Sequence, residues 1–161
     1  MSLAEVLNVL EVLSRVGCRV WLEGGWGVDA LVGRQTRVHR DLDIDIDSEQ
    51  AGLVLDALIG AGYRIETDWR PNRVELVAGG RGRVDVHPLQ LHADGSASQV
   101  ALDGGSYCFP RGYFTMGSLA GRAVPCFSVA AQRHFRSGYD LRPQDVHDLA
   151  LLEELEAADS R

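Results

Sequence analysis

No stretch of this 161-residue chain stays apolar long enough to cross a bilayer, and its first residues lack the basic segment and apolar core of a signal peptide. A cytoplasmic protein with no membrane partner is the expectation. Cysteine is scarce. Cys18, Cys108 and Cys126 are odd in number, far apart and in no Cys-x-x-Cys pair, which excludes a disulfide framework and predicts reduced, buried thiols. Positive charge is also short: 16 Lys and Arg face 23 Asp and Glu, a net charge of -7. That balance argues against non-specific nucleic-acid binding, because phosphates need basic partners. Internal repeats, low-complexity tracts and linkers are missing too. One domain over residues 1–161 is therefore expected, with the C-terminal helices (about 128–156) as a small appendage. The 45% hydrophobic and 24% charged fractions suit a globular chain of this length.

What is present is periodic. Leu3, Leu7, Leu10 and Leu13, with Val6 and Val16, recur at helical spacing before Gly17. Arg19 to Leu22 reads as a short strand running into a Gly24-Gly25 loop, and Trp26 to Val32 as a short helix. Ser48 is expected to cap a helix through Leu53, Leu55, Leu58 and Ile59. Tyr63 to Thr67 reads as a strand. Arg73 to Ala78 and Arg83 to His87 flank Gly79-Gly80-Arg81-Gly82 as a hairpin, with Glu75 and Asp85 on adjacent strands. Between Leu89 and Gly121 turn residues break the pattern into short pieces. Arg122 to Phe127 reads as an edge strand and Ser128 as the cap of a helix to about Phe135. A last helix begins at Pro143, with Val146, Leu149, Leu152 and Leu155 as its apolar stripe and a frayed tail over Glu156 to Arg161.

One stretch resists this ordinary account. Asp41, Asp43, Asp45 and Asp47 alternate with Leu42, Ile44 and Ile46, so a strand here is aliphatic on one face and carboxylate on the other. Like charges at that spacing repel, and the row calls for a counter-charge, a divalent metal first among the candidates. An EF-hand fails by position: counting from Asp41, the sixth residue is Ile46 rather than Gly and the twelfth is Gly52 rather than Glu. Alternate residues lie about 6.6–7 Å apart, so neighbouring carboxylates converge on one metal pair, whereas Asp41 and Asp47 are about 20 Å apart and cannot share one site. Helix, strand, Gly-Gly, short helix, Asp-x-Asp strand and a later strand with an isolated Asp is an order suited to two-metal phosphoryl or nucleotidyl transfer. Gly24-Gly25 suits a backbone that approaches phosphate ahead of a helix N-terminus.

The run Gly24-Gly-Trp-Gly-Val-Asp29, then Thr36-Arg-Val-His-Arg-Asp-Leu-Asp43, resembles the small antibiotic nucleotidyltransferases. These are the lincosamide nucleotidyltransferases and aminoglycoside 2''-O-adenylyltransferases of the polymerase-β-type superfamily. Arg83-Val-Asp-Val-His-Pro88, Val124-Pro-Cys-Phe-Ser128 and Asp145-Val-His-Asp-Leu149 extend the resemblance over most of the chain. It implies an α+β fold, a mixed, mostly antiparallel sheet with flanking helices. It implies Asp41 and Asp43 as the metal pair, Asp85 as third carboxylate, and Asp85 or Glu75 as general base. Gly24, Gly25, Arg37 and His39 would lie at the nucleotide, with ATP as donor, Mg²⁺ (two ions) as cofactor and an antibiotic hydroxyl as acceptor. The superfamily's usual Gly-Ser is Gly-Gly here, which removes a hydroxyl and leaves backbone amides to meet phosphate.

Some assignments stay open on sequence. A register shift of two would make Asp43 and Asp45 the pair; otherwise Asp45 and Asp47 are solvated. Arg37 meets phosphate or neutralises the acidic strand, His39 is a neighbour of the site, and Glu75 is a base or the cross-strand partner of Arg83. His87, His92, His134 and His147 show no metal-ligand spacing. Trp69, in a polar loop, is a candidate stacking platform, and Asp68–Asn72 and Ser106–Phe114 are the candidate acceptor loops. The short chain leads us to expect a homodimer that completes the acceptor pocket. An alternative from another class is a regulatory or antitoxin module with a protein partner, or a degenerate member that only binds nucleotide.

Overall fold

The acidic strand lies inside the sheet. The computed structural model, which describes residues 1–159, places β2 (Asp41–Asp47) between β1 (Val20–Leu22) and β5 (Gly82–Leu91). The main path continues outward on one side through β4 (Arg73–Ala78) and β3 (Arg64–Trp69). On the other side it runs through β9 (Arg122–Phe127) to β8 (Phe114–Leu119). The hairpin of β6 (Ala97–Val100) and β7 (Ser106–Phe109) branches from the end of β5. Pairing is antiparallel except for β2 with β5 and β1 with β9, so the fold is α+β with a mixed, mostly antiparallel sheet, as expected.

The helices are α1 (Leu3–Arg15), α2 (Gly24–Val32), α3 (Ala51–Gly60), α4 (Val129–Phe135) and α5 (Pro143–Asp159). Ser2 caps α1 by accepting from the Glu5 amide, and Val6, Val9 and Leu13 form its buried stripe. The stripe is narrower than the periodicity predicts, for Val16 lies beyond the last turn and is exposed. Leu42, Ile44 and Ile46 meet Val6, Leu13, Val54, Leu55 and Leu58 in the main core, which sets the aliphatic face of β2 against α1 and α3. A second, aromatic core joins Phe127 to Phe109, Phe114 and Phe135, with ring centroids 5.2–5.7 Å apart. No helix among the described residues is long and apolar enough to cross a membrane.

Several local expectations are corrected. Ser48 caps nothing: Ser48–Gln50 form a 3-10 turn capped by Asp47, whose Oδ1 accepts from the Glu49 amide at 3.1 Å, and α3 starts at Ala51. Asp45 and Asp47 are not solvated but buried, at 1% and 6% exposure. Asp47 also holds Arg19, 2.5 Å away, so this end of the acidic row is neutralised by a neighbour. Trp69 ends strand β3 rather than sitting in a loop. Cys126 is buried, but Cys108 is exposed because β7 is a terminal strand of its hairpin. Along α5, Val146 is exposed, while Asp145 and Asp148 are buried beside Leu152, so the inward stripe is half polar. The helix continues through Glu156 to Asp159; the last two residues of the expected frayed tail, Ser160 and Arg161, lie outside the described residues.

Helix α2 carries the Gly-Gly pair, and its backbone is held very close to the sheet. A Cβ added at Gly117 of β8 would sit 2.5 Å from the Ala30 carbonyl oxygen of α2, a backbone atom that cannot rotate away. Gly117→Ala should therefore lower stability by about 1–3 kcal/mol through overpacking. Denaturant unfolding would measure this, and a midpoint equal to wild type would contradict the packing.

Candidate active site

Register decides which carboxylates meet. In the parallel β2–β5 pair Asp41 stands opposite Arg83, Asp43 opposite Asp85, and Asp45 opposite His87. On the other side of β5, Glu75 of β4 stands opposite Asp85. Residues two apart on a strand share a face, so Asp43, Asp85 and His87 converge, each offering a ligand atom, all within 4.8 Å of one another. Histidine spacing gave no hint of His87; the usable signal was its place two residues after Asp85. Asp41 lies outside this group, its carboxylate on Arg40 at 2.7–2.9 Å. Glu75 is also engaged, in an ion pair with Arg83, which bonds Glu66 as well.

The cluster is over-supplied with negative charge. Burial pushes the Asp43 carboxyl up to about 8, with Glu23, Asp41 and Asp85 adding to the shift. Burial raises Asp85 as well, opposed by His87 and Arg73. Asp45 rises well above its ordinary value, first through burial and then through the neighbouring carboxylates of Glu23, Asp43 and Asp85. One oxygen of Asp85, Oδ1, is buried with no hydrogen-bond partner, while Oδ2 accepts from Arg73 at 2.9 Å. Hard oxygen ligands, an unpartnered carboxylate oxygen and mutual repulsion together fit a divalent cation.

The Gly-Gly pair closes over this cluster. It is not a loop: α2 begins at Gly24, and Glu23, its N-cap residue, makes no side-chain cap bond. Amides of a first helical turn have no acceptor within the helix and favour anions. Gly24 has a φ of +58, and a Cβ there would collide with Asp43 Oδ2. A Cβ at Gly25 would collide with the side-chain ends of Arg37 and His39. Glycine thus lets three side chains press against the start of the helix, where Gly24 and Gly25 line one cavity with the carboxylates.

A family model described as aminoglycoside-2''-adenylyltransferase matches residues 5–152. The chain belongs to that family. It is 40% identical over 151 residues to a lincosamide resistance protein of Staphylococcus haemolyticus, covering 94% of each chain. It also superposes on a crystal structure of the lincosamide antibiotic adenylyltransferase LnuA with lincomycin bound, at a TM-score of 0.89 and 39% identity, covering 96% of this chain and 98% of that one. A structure of ANT(2'')-Ia in complex with adenylyl-2''-tobramycin matches at a TM-score of 0.74 and 20% identity, covering 98% and 94%, a likeness of fold.

Within this member of the family, a buried polar layer fixes the segment that carries Arg37 and His39. Asp29 of α2 accepts from the Thr36 amide at 3.0 Å and hydroxyl at 2.6 Å, and its other oxygen lies 2.5 Å from His39 Nε2. Asp148 of α5, 1% exposed, takes Nε and Nη2 of Arg37, each at 2.9 Å, and Arg136 at 2.8 Å. Arg37 therefore neutralises α5, not the acidic strand. Asp148 belongs to the run Asp145-Val-His-Asp-Leu149 that carries the resemblance, but apolar periodicity gives no sign of its burial or of its arginine partners. Spaced three from Asp145 and four from Leu152, it shares their buried face.

Two cavities adjoin here. One, about 540 Å³, is lined by Gly24, Gly25, Arg37, His39, Asp41, Asp43 and Asp85. The other, about 840 Å³, is lined by Trp69, Asn72, Leu102, Tyr107, Cys108 and Phe109 among others, which brings both candidate acceptor loops to one wall. Glu23, Arg73, His87 and Phe135 line both.

Burial alone would raise the Asp148 carboxyl, but its bonds to Arg37 and Arg136 outweigh burial and lower it. A depressed folded value stabilises above the unfolded carboxylate range and is lost as pH falls through the folded value. Asp148→Ala, which strands two guanidinium groups, should cost about 3–5 kcal/mol near neutral pH. Asp148→Asn should flatten the loss of Tm as pH falls below the ordinary carboxylate range, because the titrating carboxylate is gone. Thermal melts from neutral pH downward check both; wild-type melting of Asp148→Ala would contradict the layer.

Proposed function

We propose that the chain transfers AMP from ATP to a hydroxyl of a lincosamide antibiotic, with Mg²⁺ as cofactor. The observation that carries the reading is the facing Asp43–Asp85 pair, set under the first turn of α2 and lining the smaller cavity, which shares Glu23, Arg73, His87 and Phe135 with the larger one. In this reading Asp43 and Asp85 hold the cation, and Asp41 joins them. Arg40, its present partner, is 80% exposed, and such a pair is worth about 0–1 kcal/mol, too little to hold Asp41 away. The bound ions would neutralise phosphate charge and ease ionisation of the acceptor hydroxyl.

The protein's own groups divide the rest. First-turn amides at Gly24 and Gly25 receive phosphate oxygens, with His39, steadied by Asp29, and Arg37, steadied by Asp148, beside them. The acceptor oxygen forms a bond to the α-phosphorus as the bond to the leaving pyrophosphate breaks. The hydroxyl proton passes to Asp85, whose Oδ1, shared with the cation, has no protein donor, rather than to Glu75, which is tied to Arg83. Alignment of the two substrates supplies most of the acceleration.

Acceptor chemistry is read from the larger cavity. Its wall combines Trp69, Leu102, Tyr107, Phe109 and Phe135 with only two carboxylates, Glu23 and Asp103. That lining suits an acceptor with a sugar, an apolar arm and one basic nitrogen better than a polycation. A homodimer completing this cavity is part of the proposal, supported by exposed Val100, Leu102 and Tyr107 around the β6–β7 hairpin. So are a one-domain organisation over the chain, a cytoplasmic setting and the absence of a nucleic-acid partner, which the net charge of -7 supports.

Incubation with ATP, Mg²⁺ and a panel of lincosamides and aminoglycosides should yield, by mass spectrometry, a lincosamide heavier by one adenylyl group. No adduct on any lincosamide would reject the acceptor assignment. Asp43→Asn should reduce transfer by at least about 100-fold while the circular dichroism stays native. Light scattering should give twice the monomer mass at working concentration, and a monomer would remove the dimer from the account.

A further inference from the structure

Arg73 stands where the two cavities meet. Its Nη1 donates to Asp85 Oδ2 at 2.9 Å. The guanidinium carbon lies 4.3 Å from the centroid of the Trp69 ring, and Trp69 is 44% exposed. Its Nε is buried without a hydrogen-bond partner. A guanidinium carries five N–H donors in a rigid plane, and stacking on an indole fixes that plane without consuming any of them. Asp85 anchors one edge and Trp69 supports one face, which leaves unused donors beside the carboxylate expected to receive the acceptor's proton. An ion pair made only to neutralise Asp85 would need neither the exposed indole nor a place on both cavity walls.

We propose that Arg73 and Trp69 form an acceptor platform: Trp69 holds the guanidinium flat across the junction of the cavities, and Arg73 hydrogen-bonds hydroxyl oxygens of the acceptor's sugar next to the one that reacts. The platform rests on the reading of a hydroxyl-bearing acceptor in the larger cavity. It orients the sugar so that a single hydroxyl meets Asp85. Lysine at 73 would keep a charge near Asp85 but lose the planar fork and the stacking face.

The test compares wild type with Arg73→Met, Arg73→Lys and Trp69→Ala, using a lincosamide as probe. Acceptor binding, measured by calorimetry with a non-hydrolysable ATP analogue present, should weaken about 10- to 100-fold in Arg73→Met. In turnover, KM for the acceptor should rise in both Arg73 variants while KM for ATP stays within about twofold of wild type. Arg73→Lys should restore part of kcat but not the acceptor KM, and Trp69→Ala should raise acceptor KM by a smaller factor. Acceptor binding unchanged in Arg73→Met, or acceptor and ATP KM rising together, would overturn the platform even if wild type transfers normally. Wild type that binds the lincosamide through Arg73 but forms no adduct would overturn the transfer reading and leave the platform standing. Wild type that neither binds nor modifies it would overturn both.

Discussion

Four carboxylates, those of Glu23, Asp43, Asp45 and Asp85, lie close enough in and under the sheet to repel one another, and most of the surrounding structure answers that repulsion. Each would prefer water or a positive neighbour, and the low polarity around them magnifies the cost of leaving charge uncompensated. The fold responds in three ways. Asp45 is raised well above its ordinary value by burial, Asp85 takes Arg73, and Asp43 rises to about 8. An arrangement that keeps carboxylates together at this cost is one that a bound cation would stabilise. The first turn of α2, pressed onto Asp43 by Gly24, gives the neighbouring space the opposite preference, for an anion. A cation and an anion would be complementary guests of these two halves.

Counter-charge in this protein is entirely guanidinium, for all 16 basic residues are arginine and lysine is absent. Arginine's fixed plane suits bidentate contacts, and Arg37 uses it on Asp148 through two nitrogens. Asp148 then ties Arg37 to Arg136, so α5 and the end of α4 brace the segment that leads into the acidic strand. The C-terminal helices pack against α2 and against each other. Their buried face is charged because its task is to position arginine, and the apolar burial that usually holds a helix is concentrated at Leu152.

The acidic row was legible because period-two alternation of Asp with Leu and Ile has one structural reading, and its aliphatic face is buried as that reading requires. The hairpin that brings Glu75 opposite Asp85 was equally plain from its glycine-rich turn. The parallel pairing of β2 with β5 was not, because strands far apart in sequence carry no local mark of their register. Without it, His87 looked isolated and Asp45 looked solvated. The Gly-Gly pair looked like a loop because glycine is a poor helix former, and tertiary packing against Asp43 overrides that preference. The burial of Asp145 and Asp148 on α5 was not legible for a related reason: apolar periodicity finds helices that bury hydrocarbon, whereas these two are buried by pairing with arginine.

The central claim is that this carboxylate cluster is built to receive a divalent cation. The most direct measurement is calorimetric titration of Mg²⁺ into the protein near pH 7 and near pH 9, each in buffers of different ionisation enthalpy. Asp43, raised to about 8, holds a proton at the lower pH that the cation must displace. Binding should release about one proton per protein near pH 7 and almost none near pH 9, with tighter binding at the higher pH. Asp43→Asn should lose this proton linkage. Failure to bind Mg²⁺ with or without ATP, or binding with no linked proton at either pH, would contradict the account.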